Sequence, residues 1–487
     1  MDPTEYKTFH ESFMVNNNGT TIEDVFFTIV PTFFTTFLAT NIILVSNPIG
    51  TIASFIIEFI LIVFSTILHV TILNYRIWEI ALSLMSITIT AAVKQLSGRY
   101  HIAPFVQIPC RRPEYLNTLR AVINLLTAVC ILAVDFKCFP RKLAKTETFG
   151  FGLMDTGVGL FVYGNGLVAP ELNSSSESCK ITWQKLEKTL WSCLPLIVLG
   201  ALRFTATTEL DYQQHISEYG VHWNFFLTLA FTKLFGTILI GIVPHFEYLK
   251  YISIILLFIH ESILQLGASD YVIDSSNQVK RDNIISANRE GICSLMGYVS
   301  LYLASVYIGY RLKKIDVMAD EKQKEPIYTN VRQLFWKSIR LLFVALIMWK
   351  VTYILKNMFG VSRRIANMGY VFWILSIGTS FTVLFIFLEI FYYFCAFDRT
   401  NSDDNNDEHE TKIINNRAYA PIILSGINYN GLAFFLFANL MTGFVNLTSQ
   451  TLLLGTMPAM IILCGYMLVL CSVTTFLYLN QIKLKVW

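Results

Sequence analysis

Uninterrupted apolar stretches of about 20 residues dominate this sequence of 487 residues. A helix crosses the hydrocarbon core of a bilayer in about 20 residues. Inside that core the backbone must satisfy its own hydrogen bonds, which leaves helices or closed barrels. About thirteen segments have the length and apolarity to span: 25–45, 49–73, 77–93, 118–136, 151–168, 189–206, 223–244, 248–266, 291–310, 333–355, 367–395, 428–448 and 452–479. Segment 151–168 is interrupted by glycines and Asp155. Only 15% of residues are Asp, Glu, Lys or Arg, against about 25% in soluble domains. The net charge of +3 is near neutral, and no basic block tracks a nucleic-acid backbone. A nucleic-acid binder, a disordered scaffold and a secreted disulfide module are excluded. The expected fold is an all-α polytopic membrane protein, a single helical domain over 25–480.

An odd number of spans puts the termini on opposite sides. Residues 1–24 carry Asp2, Glu5, Glu11, Glu23 and Asp24 against one Lys7, unlike the basic start of a signal peptide. The first span is therefore expected to act as an uncleaved anchor behind a lumenal tail. Asn18-Gly19-Thr20 is a glycosylation sequon on that tail. The tail 481–487 ends in Lys483-Leu484-Lys485-Val486-Trp487, which reads either as a dilysine retrieval signal facing the cytosol or as two snorkelling lysines. Both hints agree on a lumenal N-terminus and a cytosolic C-terminus. The loops at 94–117 and 311–332 are then cytosolic and basic, as the positive-inside rule requires. The lumenal loop 137–150 breaks the rule with Lys137, Arg141, Lys142 and Lys145. Either these cations have a binding or catalytic role, or the span count is wrong. Residues 397–427 include SDDNNDEHE, expected to be solvated disorder rather than a metal site.

Asp135 follows the apolar run Leu125 to Val134, so it sits where a helix leaves the membrane. Partial desolvation there makes a carboxylate a better proton acceptor. Lys145 lies ten residues on, beyond a turn favoured by Pro140, and the loop can fold back to set ammonium beside carboxylate. Such a pair can deprotonate a hydroxyl and stabilise an oxyanion; it can equally be an interfacial salt bridge. Glu58, His69, Asp155, His260 and Glu261 would be costly against lipid and should face the bundle interior. No histidine stands at 264 to complete a zinc-protease helix after His260-Glu261. Gly157-Val158-Gly159 has no strand before it, and close helix packing explains it better than a dinucleotide loop. The nine cysteines include no Cys-x-x-Cys pair and imply no metal. Asn224, Asn288, Asn367, Asn430, Asn439 and Asn446 lie within spans or at their edges, where they either tie helices together or hold a polar head group.

The stretch ILAVDFKCFPRKLAKTETFGFGLMDTGVG closely resembles the signature of the glycosylphosphatidylinositol (GPI) inositol acyltransferases, the PIG-W proteins of animals and the GPI-anchored wall transfer proteins of fungi. The similarity continues in order through EYGVHWNFF (218–226), SANREGI (286–292), SRRIANMGYVFW (362–373) and NGLAFFLFANLMTGFVN (430–446). The resemblance implies a thirteen-span endoplasmic-reticulum protein, its acyltransferase core about residues 118–448. It implies transfer of a fatty acyl chain, usually palmitoyl, from the co-substrate acyl-CoA to the inositol 2-hydroxyl of glucosaminyl-phosphatidylinositol. No permanently bound cofactor, metal or nucleic acid is implied. The family's catalytic aspartate and lysine fall on Asp135 and Lys145, with His222 as the runner-up base. Arg141, Lys142, Arg289, Arg363 and Arg364 are expected to hold phosphates of CoA or of the phosphoinositide. Asp155, Asn165, Glu218, Trp223, Asn224, Asn288, Asn367, Asn430 and Asn439 complete the expected substrate-binding set. A lipid transporter or flippase, or a non-catalytic subunit of GPI biosynthesis, would carry the same spans.

Overall fold

A computed structural model describes residues 5, 6, 9, 12, 13, 17–46, 50–97, 107–109, 113–173, 183–209, 216–273, 281–314, 328–402 and 420–484. The acidic run around 403–419 and Lys485 lie outside the described residues.

The apolar runs fold into antiparallel helices. In chain order they are α1 (Ile22–Val45), α2 (Thr51–Val70), α3 (Ile77–Leu96), α4 (Glu114–Ala133), α5 (Leu153–Leu167), α6 (Trp183–Glu209) and α7 (Phe225–Ile242). Then follow α8 (Phe246–Ile273), α9 (Arg289–Lys314), α10 (Val331–Phe359), α11 (Met368–Ser402), α12 (Ile422–Tyr429), α13 (Gly431–Thr448) and α14 (Thr456–Leu479). Among the described residues, eleven helices are long and apolar enough to cross a membrane. The two other expected segments, 151–168 and 189–206, are the helices α5 and α6; α5 has only 15 residues. The expected span 428–448 is broken at Asn430, which separates α12 from α13. A small antiparallel pair, Gln107–Pro109 with Tyr328–Asn330, joins the α3–α4 and α9–α10 connections.

Helix ends gather into two faces. On one, Trp78 and Lys142 donate to Asp24, Tyr353 donates to Glu23, and the Thr20 amide donates to the Phe151 carbonyl. On the other, Gln95 meets Asn41, Arg311 pairs with Glu247, and the Asn430 carboxamide binds the backbone at Ile482 and Leu484.

Three buried glutamates are resolved by one device. Glu58 of α2 accepts from the amides of Ile422 and Ile423 at the start of α12. Glu389 of α11 accepts from the Tyr115 amide in the first turn of α4, and Glu261 of α8 from the Met368 amide at the start of α11. A helix leaves its first four N–H groups without partners and carries partial positive charge there. A carboxylate from a neighbouring span therefore satisfies the helix start and itself. The largest fully buried side chains of the described residues are aromatic, Trp373, Tyr163, Tyr298 and Tyr370 among them. Gly159 allows α5 onto α11, because a Cβ there would lie 2.6 Å from Ile374 Cγ1. A Cβ on Gly157 would meet nothing within 4 Å.

Candidate active site

The first face carries the polar network. α4 ends at Ala133, and short backbone turns carry the chain past Asp135 to Pro140. Phe136, Phe139 and Leu143 are buried and anchor this stretch. Asp135 is buried, and its Oδ2 accepts from the Asn446 carboxamide of α13 at 2.7 Å. Lys145 is held elsewhere. Its ammonium donates to Glu218 Oε2 at 2.8 Å, from the one-turn helix Ile216–Tyr219. The expected pairing of Lys145 with Asp135 is thus replaced, for the ammonium, by a carboxylate that arrives from a different loop.

The segment bearing Lys145 is clamped from three sides. Asn17 donates from Nδ2 to the carbonyls of Ala144 (3.1 Å) and Lys145 (2.9 Å), and the Glu147 amide donates back to the Asn17 carbonyl. Asp155, near the start of α5, accepts from the amide and hydroxyl of Thr146 at 3.0 and 2.9 Å. The Gly150 amide donates to the Val361 carbonyl, and Ser362 Oγ to that of Thr148.

Asp155 also accepts from Arg363 Nε at 2.8 Å, with both side chains almost fully buried. Arg363 lies under the Tyr219 ring, 5.6 Å from its centroid. Burial opposes the guanidinium charge, but Glu218, Tyr219 and Asp155 outweigh it and hold its pKa well above the ordinary value. The Tyr219 phenol is pushed up to about 12, mainly by burial. Lys145, Glu218, Tyr219, Arg363, Asp155 and Thr146 therefore form one continuous chain of contacts.

A second chain begins at Asn288. Its Oδ1 accepts from the amides of His222 (2.8 Å) and Trp223 (3.0 Å), and its Nδ2 lies 3.4 Å from His222 Nδ1. Gly220 makes this approach feasible: its φ is +114°, and an added Cβ would sit 2.6 Å from the Asn288 Cα. Trp223 packs over Gly291, where a Cβ would fall 2.3 Å from the indole. The His222 ring lies 5.1 Å from that of Phe204.

The remaining expected cations and amides are dispersed. Lys142 pairs with Asp24 at 3.1 Å, and Arg141 lies over Phe13, its pKa lowered by burial. Arg289 and Arg364 converge on Glu290. Asn224 caps α7 by accepting from the amides of Phe226 and Leu227, and Asn367 accepts from those of Ser362 and Tyr370. Asn430 ties down the C-terminal segment on the opposite face, Asn439 donates to the Phe435 carbonyl one turn back, and Asn165 is exposed on α5. Asn17, Thr146 and Tyr219 were not expected at the site. Tyr219 follows Glu218 within a matching block, a signal that was available; Asn17 lies 128 residues from its partner Lys145, a distance no local pattern bridges.

A cavity of about 220 Å³ opens beside this network, lined in part by Glu261, Asp270, Phe359, Ile365 and Asn367. Its two carboxylates and lack of cations make it unsuited to a phosphate. Among the described residues, no group of three His, Cys, Asp or Glu side chains is placed to hold a metal ion.

A family model described as GWT1 matches residues 6–477. The chain is 31% identical over 507 residues to GPI-anchored wall transfer protein 1 of Emericella nidulans, covering 100% of each chain. It is 34% identical over 382 residues to the Aspergillus oryzae protein of that name, covering 76% of this chain and 73% of the relative. It is 33% identical over 392 residues to a bovine protein named glucosaminyl-phosphatidylinositol-acyltransferase PIGW, covering 76% and 75%. With a model match over nearly its whole length and relatives this similar over most of theirs, the chain belongs to the GWT1 family.

Proposed function

We propose that this protein transfers a fatty acyl chain from acyl-CoA to the inositol 2-hydroxyl of glucosaminyl-phosphatidylinositol, in the endoplasmic-reticulum membrane, with the first face lumenal. Family membership and the name of the bovine relative support the reaction class. The observation that carries the assignment of residues is the buried Asp135 carboxylate, oriented by a neutral amide at the end of an apolar helix. An amide donor fixes the position of a carboxylate oxygen, and a positioned carboxylate within reach of a hydroxyl can act as its general base.

In this reading Asp135 accepts the proton of the inositol hydroxyl as that oxygen attacks the thioester carbonyl. The C–O bond forms, the C–S bond breaks, and the proton passes to the departing thiolate, giving an inositol ester and free CoA. Lys145 supplies positive charge to the oxyanion or the thiolate, and Glu218 with the Asn17 clamp sets where that charge stands.

The acyl donor is made in the cytosol and needs a path along the bundle. α4 supplies a polar stripe on one side, Arg120, Asn124 and Thr127, and Asp135 follows two residues beyond its end. Arg120 makes a 3.5 Å contact with Asn428, and the Asn124 Oδ1 is buried without a hydrogen-bond partner. Arg120 lies about 20 Å before the end of α4 at ~1.5 Å per residue, and Asp135 stands just beyond that end. That spacing suits a donor whose phosphates rest near Arg120 while its thioester reaches Asp135.

Purified full-length protein, given glucosaminyl-phosphatidylinositol and palmitoyl-CoA, is expected to release CoA and form inositol-acylated product resistant to phosphatidylinositol-specific phospholipase. Movement of the glycolipid across the membrane without any acylated product would replace the acyltransferase reading with a transporter.

A further inference from the structure

α9 begins where three guanidinium groups meet one carboxylate. Glu290 is fully buried. Its Oε1 accepts from Arg281 Nη2 at 2.6 Å and from Arg364 Nη2 at 3.1 Å, and lies 3.5 Å from Arg289 Nε. Its Oε2 accepts from Arg281 Nη1 at 3.2 Å. Among the described residues, one carboxylate thus faces three guanidinium groups. The excess is not absorbed by hydrogen bonds: Arg289 is only 5% exposed, yet its Nε and Nη1 have no hydrogen-bond partner, and neither has Arg364 Nε. Arg289 otherwise lies over the Tyr271 ring at 5.4 Å. Buried guanidinium groups without a counter-charge are costly, and the positive end of the 26-residue helix α9 adds to the same imbalance. Such a cluster is complete only with an anion.

The surroundings indicate which anion. Arg281 is the partly exposed member, with 26% of its side chain open, so it marks the entrance. The one-turn helix Ile284–Ala287 beside it presents Ile284 at 78% and Ile285 at 68% exposure, and Tyr271 and Ile292 are exposed as well. A free inorganic ion gains nothing from that rim, whereas a phosphate attached to hydrocarbon gains from both parts. Three other cations of the first face have carboxylate partners: Arg363 with Asp155, Lys142 with Asp24 and Lys145 with Glu218.

We propose that Arg281, Arg289 and Arg364, arranged around Glu290 at the start of α9, form an oxyanion site for the phosphodiester of an inositol phospholipid, entered past Ile284 and Ile285. The choice of an inositol phospholipid, and its identity as the acyl acceptor, rest on the reading above; the oxyanion site itself does not. Guanidinium forks suit paired phosphate oxygens, and Arg289 has two N–H groups to offer without breaking an existing hydrogen bond. The site abuts the second chain of contacts, because Asn288 precedes Arg289 and holds the amides of His222 and Trp223.

The test uses full-length protein in phosphatidylcholine nanodiscs with and without phosphatidylinositol, reading the thermal unfolding midpoint, with inorganic phosphate as a separate arm. Phosphatidylinositol is expected to raise the midpoint, and Arg289→Gln and Arg281→Gln to abolish the rise, with inorganic phosphate giving little. Arg281→Gln serves as the second variant if Arg289→Gln does not fold, since Arg281 is the partly exposed member. No rise for the wild type, or a rise that survives in the variants, overturns the site. An equal rise with inorganic phosphate, lost in the same variants, overturns the lipid assignment. In acyl-transfer assays Arg281→Gln should raise KM for glucosaminyl-phosphatidylinositol by about tenfold and leave KM for palmitoyl-CoA unchanged; a change in both or neither removes the site from the acceptor. Lipid binding lost in the variants of a protein that makes no acylated product would sink the acyltransferase reading and leave this site standing.

Discussion

Lys145 and Glu218, 73 residues apart in sequence, are joined by a 2.8 Å ion pair at the edge of the site. The pair is partly open to solvent, 38% for Lys145 and 19% for Glu218. An ion pair this exposed contributes about 0–1 kcal/mol to stability, so its value is positional. Glu218→Gln should therefore leave the unfolding midpoint nearly unchanged while lowering kcat by about tenfold. Parallel melting curves and acylation rates check this; an equal loss of stability and activity would mark the pair as scaffold.

Asn446 orients Asp135 from a helix 311 residues downstream. Asn446→Ala removes the donor and keeps the carboxylate. Loss of one hydrogen bond to a charged group is worth about 1.5–3 kcal/mol, so kcat is expected to fall by about ten- to hundredfold with normal expression. Unchanged kcat in washed membranes would show that Asp135 needs no such positioning.

Asp155 and Arg363 behave differently, because both are buried and each is the other's charge partner. Removing one partner of a buried pair typically costs about 3–5 kcal/mol. Arg363→Ala should thus reduce the folded yield, and adding Asp155→Ala should restore part of it. Size-exclusion profiles of the single and double variants in detergent measure the effect.

Asn17 acts on Lys145 through the backbone, by donating to the carbonyls on either side of the Ala144–Lys145 bond. Asn17→Asp keeps the shape and loses both donated bonds, so it should be as damaging as Asn17→Ala. Hydrogen exchange over residues 144–152 is expected to rise, and kcat to fall with KM unchanged. Faster exchange without loss of kcat would confine Asn17 to a structural role.

Gly157 and Gly159 make a controlled pair on α5. Gly159→Leu drives a side chain into Ile374 and the Tyr370 hydroxyl, and overpacking of this kind costs about 1–3 kcal/mol. Gly157→Ala meets open space and should be tolerated. The comparison is a thermal shift between the two proteins.

Much of the fold was legible in the sequence because spans are written in length and apolarity, and those properties set the helices directly. The break at Asn430 was missed because the apolar run continues across it. The cost of charge against lipid marks Glu58 and Glu261 as interior, but spacing along one chain cannot reveal that each meets the start of a different helix. The site shows the same limit. The ten-position spacing from Asp135 to Lys145 invites a direct pairing, whereas Glu218 and Asn446 come from elements remote in sequence and adjacent in space. The basic loop 137–150 lies on the first face, where Lys142 meets Asp24 and Lys145 meets Glu218.

The central claim is that Asp135 removes the proton from the acceptor hydroxyl. Its most direct measurement is inositol acylation by purified Asp135→Asn protein, matched to the wild type for amount and unfolding midpoint. Asparagine keeps the shape and the Asn446 contact but cannot take the proton, so the rate should fall by about a hundredfold or more. Near-normal acylation by a folded Asp135→Asn protein would contradict the account.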